Sequence, residues 1–483
     1  MKDLRLRVFL LLMLVPFRLN AQELKLAHIF SDHMVLQRET TAPVWGWGEP
    51  GKIVYVSTSW NWQTMKTTVG EDGTWRINVS TGKAGGPYKI NVTSGKEKVE
   101  ISDVMLGEVW ICSGQSNMEM PVNGFGFQKV DGSMEAILDA FETKDRIRVF
   151  DIKTWKRTEP EADVTNVWQL STPRVTANTS AIAYYFAKRL TKALDVPVGI
   201  IVNSWGGSRI ESWMTRESIE KSGITREELA EIYAVEEKPD RWPETPELIW
   251  NGRVYPILGY AAKGFLWYQG CSNIGQKFYD KLQTSMLNLW RSSWGRGDMP
   301  FIYATLAPFD HGDSNGRWRP AFVRTQIHAQ EMAPATWAVC LETLGDRNTI
   351  HPPKKREVAD LMFMRAYASV YGEDPGLAVD YPEPKTIEYL EDGSVKIKFT
   401  NVWSNLMSIV ARDVVGFELA GEDRVFHLAD AQVDLDGETV IVRADEVQHP
   451  VAVRYGFRNW MGANLQTSLG IAVPPFRSDD WEL

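Results

Sequence analysis

Four short stretches hold residues that, brought together, would transfer an acyl group. Ser113-Gly114-Gln115-Ser116-Asn117-Met118 sets a serine between two amide side chains. Gly206-Gly207-Ser208 offers a pair of glycines, Gly270-Cys271-Ser272-Asn273 an asparagine, and Gly345-Asp346 is followed shortly by His351. A serine hydroxyl is a weak nucleophile until a base takes its proton, and neutral histidine is the base suited to pH 7. The tetrahedral intermediate of ester cleavage carries an oxyanion, which needs donors already in place. Glycine lets a backbone N–H approach a ligand closely, and an asparagine amide adds a donor. Taken singly, each part has an ordinary explanation. Serine and asparagine cap helices, paired glycines make turns, and a histidine before Pro352-Pro353 reads as a loop residue. Their shared position carries the reading, because each follows directly on an apolar run.

Those runs are the elements that must position the chemistry. Val109-Trp110-Ile111-Cys112 precedes the serine, and VPVGIIVNSW precedes the glycine pair. GFLWYQG precedes the asparagine, FIYATLAP follows in the chain, and ATWAVCLET precedes Asp346 and His351. Between the first two lies a helical pattern with Ile182, Tyr185, Phe186, Leu190 and Leu194 on one face. Near-continuous apolar runs separated by helices predict a parallel sheet with helices on both faces, over 105–371. Ligands bind beyond the carboxyl ends of such strands, where all four stretches fall. The preceding text, 22–104, alternates in short β-branched and aromatic runs with a turn at Asp72-Gly73. It predicts a β-sandwich-like module, either for packing or for binding glycan. A second β-rich module is expected over 372–483, with turns at Asp392-Gly393 and Asp436-Gly437.

Composition narrows the function classes. A net charge of -9 without clustered Lys and Arg disfavours nucleic acid as a partner. The 20 tryptophans suit either sugar-stacking surfaces or β-sandwich cores. Three cysteines, Cys112, Cys271 and Cys340, are too few for a disulfide framework, and no Cys/His spacing of a structural zinc site is present. Lys2, Arg5 and Arg7 precede an apolar run from Val8 to Phe17, with Ala21 beyond. This is the pattern of a secretory signal peptide over 1–21, and it predicts an exported protein, periplasmic or secreted, without a membrane anchor in the mature chain.

The string GEVWICSGQSNMEMP closely resembles the nucleophile block of the sialate O-acetylesterase family, a branch of the SGNH hydrolases. It does not match the G-x-S-x-G elbow of α/β-hydrolases, since Met118 stands at the last position. FSDHMVLQRETTAPVWGWGEPG, VPVGIIVNSWGGSRIESWM, NGRVYPILGYAAKGFLWYQGCSN and GDRNTIHPPKKREVA resemble other blocks of that family in the same order. PVAVRYGFRNWMGANLQTSLGIAVPPFRSDDW resembles its C-terminal end. The resemblance implies an SGNH/flavodoxin-like core, Ser116 as nucleophile and His351 as general base. It implies oxyanion donors from Gly206 or Gly207 and Asn273 beside the Ser116 backbone N–H, and no metal or organic cofactor. The amides of Gln115, Asn117 and Gln269 are expected to bind substrate.

Two positions depart from the family pattern. Cys271 stands where members carry Glu, and Thr349 where they carry Asp two residues before the histidine; the generic superfamily position for the acid holds Asn348. Asp346 is then the candidate third member of the triad, with Glu342 behind it. The alternative is a backbone carbonyl orienting the ring of a Ser–His dyad. Cys271 is either a free thiol near the site or a partner of Cys112. The implied activity is removal of O-acetyl groups from a carbohydrate, sialic acid foremost. A plant glycan such as acetylated xylan is an alternative, and a glycan-binding protein with a dead core is another. With an ordinary histidine as base, activity is expected to fall below about pH 6.

Overall fold

The structure, a computed structural model, describes residues 23–483 apart from 238, 375, 376, 378 and 410–412. The expected leader, 1–21, lies outside the described residues. The molecule is mixed α/β, with several sheets and a β-rich C-terminal part.

The site hangs from one long strand, Glu97–Gly114. Its first half alternates between exposed and buried residues and pairs antiparallel with Gly85–Ser94. Its second half, from Leu106 to Gly114, is buried on both faces. There it pairs in parallel with Val198–Ser204 on one side and Gly264–Tyr268 on the other. The change from alternating to continuous apolar text marks the passage from a half-solvated sheet to one covered on both sides. The boundary expected at 104/105 therefore falls inside a strand.

The parallel sheet continues outward in the order Gln169–Leu170, Ile147–Asp151, Val198–Ser204, Glu97–Gly114, Gly264–Tyr268, Phe301–Ala304, Thr336–Val339. All five apolar runs read from the sequence are parallel strands of it. Ile147–Asp151, a further parallel strand, and Gln169–Leu170, an antiparallel edge, were not expected. Both are short and lie among polar text, so neither gives a strong periodic signal. The helix over the 180s is found as Ala181–Leu194, capped by the Ser180 hydroxyl accepting from Ala183 N–H. It packs on Lys355–Ala366, the helix that follows His351.

The C-terminal part is a seven-stranded sheet beside a two-stranded one. Its own apolar core includes Ile397, Phe417, Leu419, Val440 and Tyr455. It is tied to the parallel sheet by Arg319. That guanidinium forms a buried two-pronged ion pair with Glu342 (2.7 and 2.9 Å). It also donates to the carbonyls of Gly456 and Arg458. Glu342 is thus spent on holding the Arg319 guanidinium, which makes the bonds between the two parts, and is no partner of His351.

Candidate active site

The turn after the central strand needs a glycine at 114. Its φ is +142°, and a Cβ there would lie 2.2 Å from the Tyr268 carbonyl of the neighbouring strand. The chain then enters the one-turn helix Ser116–Glu119, which leaves Ser116 half-buried at the carboxyl rim of the sheet. His351 arrives on the loop after the last parallel strand. Its Nε2 lies 2.8 Å from Ser116 Oγ. More than two hundred residues of chain separate the two.

The other ring nitrogen of His351, Nδ1, lies 2.7 Å from Gln128 Oε1. Asp346 does not take that place. Its carboxylate folds onto its own loop and accepts from Asn348 N–H (2.8 Å). Gln128 is fixed the right way round by its other end, where Nε2 donates to Thr349 Oγ1 (3.1 Å). The same hydroxyl accepts from the His351 backbone N–H. An amide oxygen accepts the Nδ1 proton, which leaves Nε2 unprotonated toward the serine. Phe125, on the same hairpin as Gln128, packs edge-on against the imidazole at 5.5 Å. Burial, aided by the nearby Lys355 ammonium, lowers the imidazole to about 4, so it is neutral at pH 7.

The three amides expected to touch substrate are instead buried supports. Gln115 Oε1 accepts from Gly270 N–H and ties the serine turn to the neighbouring strand end. Asn117 Nδ2 donates to the Ile350 carbonyl (3.0 Å), and its Oδ1 accepts from the Lys355 ammonium. Gln269 donates to Ser208 O and Asn273 Oδ1 and accepts from the Tyr279 hydroxyl. Asn273 is fully buried and has spent all four of its bonding positions. Nδ2 donates to Glu211 and Gln276, and Oδ1 accepts from Ile210 N–H and Gln269. It holds the loop together and presents no donor to the serine.

The glycine pair divides its duties. A Cβ at Gly206 would sit 3.5 Å from Ser116 Cβ, so this loop does border the nucleophile. Its N–H is occupied by the Glu119 carboxylate at 2.6 Å. Burial raises that carboxyl above the usual range, against the pull of the Gly206 hydrogen bond. Gly207 is exposed, with φ +71° and open space around it. Its N–H makes no hydrogen bond among the described residues.

Cys271 and Cys112 are free thiols. Lys355 is buried at 1 % exposure beside an amide oxygen, and burial lowers it to about 7. Among the described residues no group of three His, Cys, Asp or Glu side chains is placed to hold a metal ion. No helix among them is long and apolar enough to cross a membrane.

Gln128, Glu119 and Lys355 escaped the sequence reading for different reasons. Glu119 lies in the quoted nucleophile block and Lys355 in the histidine block, so both were in view without a role. Gln128 lies in a loop after no strand, and an amide is not the carboxylate that a triad calls for.

Known proteins resemble this chain along most of their length. Residues 106–352 match the family described as "Carbohydrate esterase, sialic acid-specific acetylesterase". The chain is 27% identical to a sialate O-acetylesterase of Mus musculus, over 94% of each chain. It is 26% identical to the sialate O-acetylesterase of Homo sapiens, covering 94% of this chain and 92% of that one. Among solved structures, a carbohydrate acetylesterase from Xanthomonas citri superposes with a TM-score of 0.83 at 31% identity. That match covers 95% of this chain and 100% of the other. The matched segment opens within the strand that leads to Ser116 and closes just past His351, and by that match the chain belongs to the sialic acid-specific acetylesterase family of carbohydrate esterases.

Proposed function

We propose that this protein is an exported serine esterase that removes O-acetyl groups from a carbohydrate, with sialic acid as the sugar. The observation that carries the mechanism is the 2.8 Å contact between His351 Nε2 and Ser116 Oγ. His351 takes the serine proton as Oγ attacks the acetyl carbonyl. The Ser116 and Gly207 backbone N–H groups receive the developing oxyanion. As the bond between the acetyl carbon and the sugar oxygen breaks, His351 hands its proton to that oxygen, so the sugar leaves as a hydroxyl and an acetyl-enzyme remains. Water, deprotonated by the same imidazole, attacks the acetyl carbon; the bond to Ser116 Oγ breaks, Oγ takes the proton back, and acetate leaves. Gln128 fixes the tautomer that leaves Nε2 free to act as base, without supplying a charge to the imidazolium. The parallel sheet serves as an SGNH-type, flavodoxin-like core, with the chemistry at its carboxyl rim. Export rests on the charged and apolar pattern of 1–21.

Ser116→Ala is expected to abolish acetate release from O-acetylated sialic acid while leaving the fold intact. A rate within tenfold of the parent would overturn the mechanism. The parent is expected to react with a fluorophosphonate at Ser116, which a glycan-binding protein with a dead core would not do. The Xanthomonas citri relative is described as a carbohydrate acetylesterase, a class wider than sialic acid, and this keeps plant glycan as the second reading. Parallel assays on O-acetylated sialic acid and acetylated xylan separate the two.

A further inference from the structure

Three tryptophans cluster beside the loop that borders the nucleophile, and the chemistry of Ser116 and His351 uses none of them. Trp155 and Trp242 stack with ring centroids 6.1 Å apart and planes at 20°. Trp205 meets both edge-on, at 5.6 and 4.8 Å. The cluster adjoins the site through Trp205, whose backbone N–H donates to the Gly114 carbonyl and which immediately precedes Gly206.

Two of these rings already have a cation on one face. The Arg253 guanidinium lies over Trp205 at 5.1 Å, and the Lys156 ammonium over Trp242 at 5.0 Å. Both rings are half-buried. Trp155 is 60% exposed. Its segment is held firmly nonetheless. Buried Arg253 donates to Asn203 Oδ1 on the strand, to the Thr154 carbonyl and to the Ile152 carbonyl. At Gly252 the backbone passes so close that a Cβ would lie 2.2 Å from the Trp155 carbonyl. A rigid, solvent-facing indole costs little ordering entropy when a ligand arrives, and its face suits an apolar, ring-shaped surface.

We propose that Trp155 is the platform on which a pyranose ring of the acetylated carbohydrate stacks through its C–H face, next to the acetyl group that Ser116 attacks. This assignment rests on the esterase reading above and names the residue that gives it preference for sugar esters. The ethyl ester of acetic acid has no ring to stack. Trp155→Ala is expected to leave ethyl acetate hydrolysis unchanged. It is expected to raise KM about tenfold for whichever of O-acetylated sialic acid and acetylated xylan the parent prefers, with kcat held. Trp155→Phe is expected to restore most of the loss. Equal KM values on the sugar ester, or equal losses on both esters, would overturn the proposal. A parent that hydrolyses neither ester would sink the esterase reading alone. In that case calorimetric binding of the same sugars to Ser116→Ala, with and without Trp155→Ala, decides the matter. Weakening by the second substitution supports the platform, and unchanged affinity refutes it.

Discussion

At the scale of single residues, the feature that sets this site apart is a neutral acceptor behind the histidine. Gln128 fixes the tautomer as a carboxylate would, but it does not stabilise the imidazolium. With the ring lowered to about 4, His351 stays neutral well into acid. Activity is therefore expected to hold to about pH 5 and fall below it, rather than below about 6 as an unperturbed histidine predicts. A pH profile of kcat/KM tests this, and an acid limb near the ordinary histidine value of about 6.5 would contradict it. Gln128→Glu places a charge 2.7 Å from the ring and is expected to move that limb upward. Gln128→Leu leaves Nδ1 without an acceptor, and kcat is expected to drop about a hundredfold or more with KM little changed. Ser116 and His351 were legible in the sequence because their places after strands are regular and histidines are few. The third group was not, because triad logic looks for a charge. It points to Asp346, where the fold uses an uncharged amide from a distant hairpin.

At the scale of elements, the nucleophile turn and the base loop are latched by one side chain. Asn117 follows Ser116, Ile350 precedes His351, and the bond between them sets the distance at which serine and histidine meet. Lys355, from the first turn of the next helix, holds the Asn117 oxygen and so decides which end of the amide faces Ile350. Lys355→Met is expected to loosen the latch and lower kcat. It is also expected to shift the acid limb upward, because the cation that helps hold His351 low is gone. A fall in kcat with an unmoved limb would leave Lys355 a packing role only. Asn117→Ala strands a buried ammonium and is expected to cost about 1–3 kcal/mol in urea unfolding. The strands behind these loops were readable as apolar runs. The amide network beneath them was not, since sequence gives amide positions without saying which face water or one another; hence Gln115, Asn117 and Gln269 were assigned to substrate and Asn273 to the oxyanion when they brace the loops.

At the scale of the whole molecule, the C-terminal part is bound to the catalytic part by a buried guanidinium whose counter-charge lies within the catalytic part. Arg319 and Glu342 satisfy each other, and Arg319 extends the contact to the carbonyls of Gly456 and Arg458. Glu342→Ala leaves the guanidinium buried without its counter-charge, at an expected cost of about 3–5 kcal/mol. Denaturant unfolding measures it, and a loss under about 1 kcal/mol would show that the pair does not support the Arg319 tie described. The N-terminal sheet is joined still more intimately, by the 18-residue strand Glu97–Gly114. That strand spans about 60 Å, and its last residues deliver the serine. Recombination that exchanged modules at the compositional border would sever it midway. A lineage of this enzyme cannot trade its first sheet for another without recasting the strand that aims its nucleophile, so the two are inherited together.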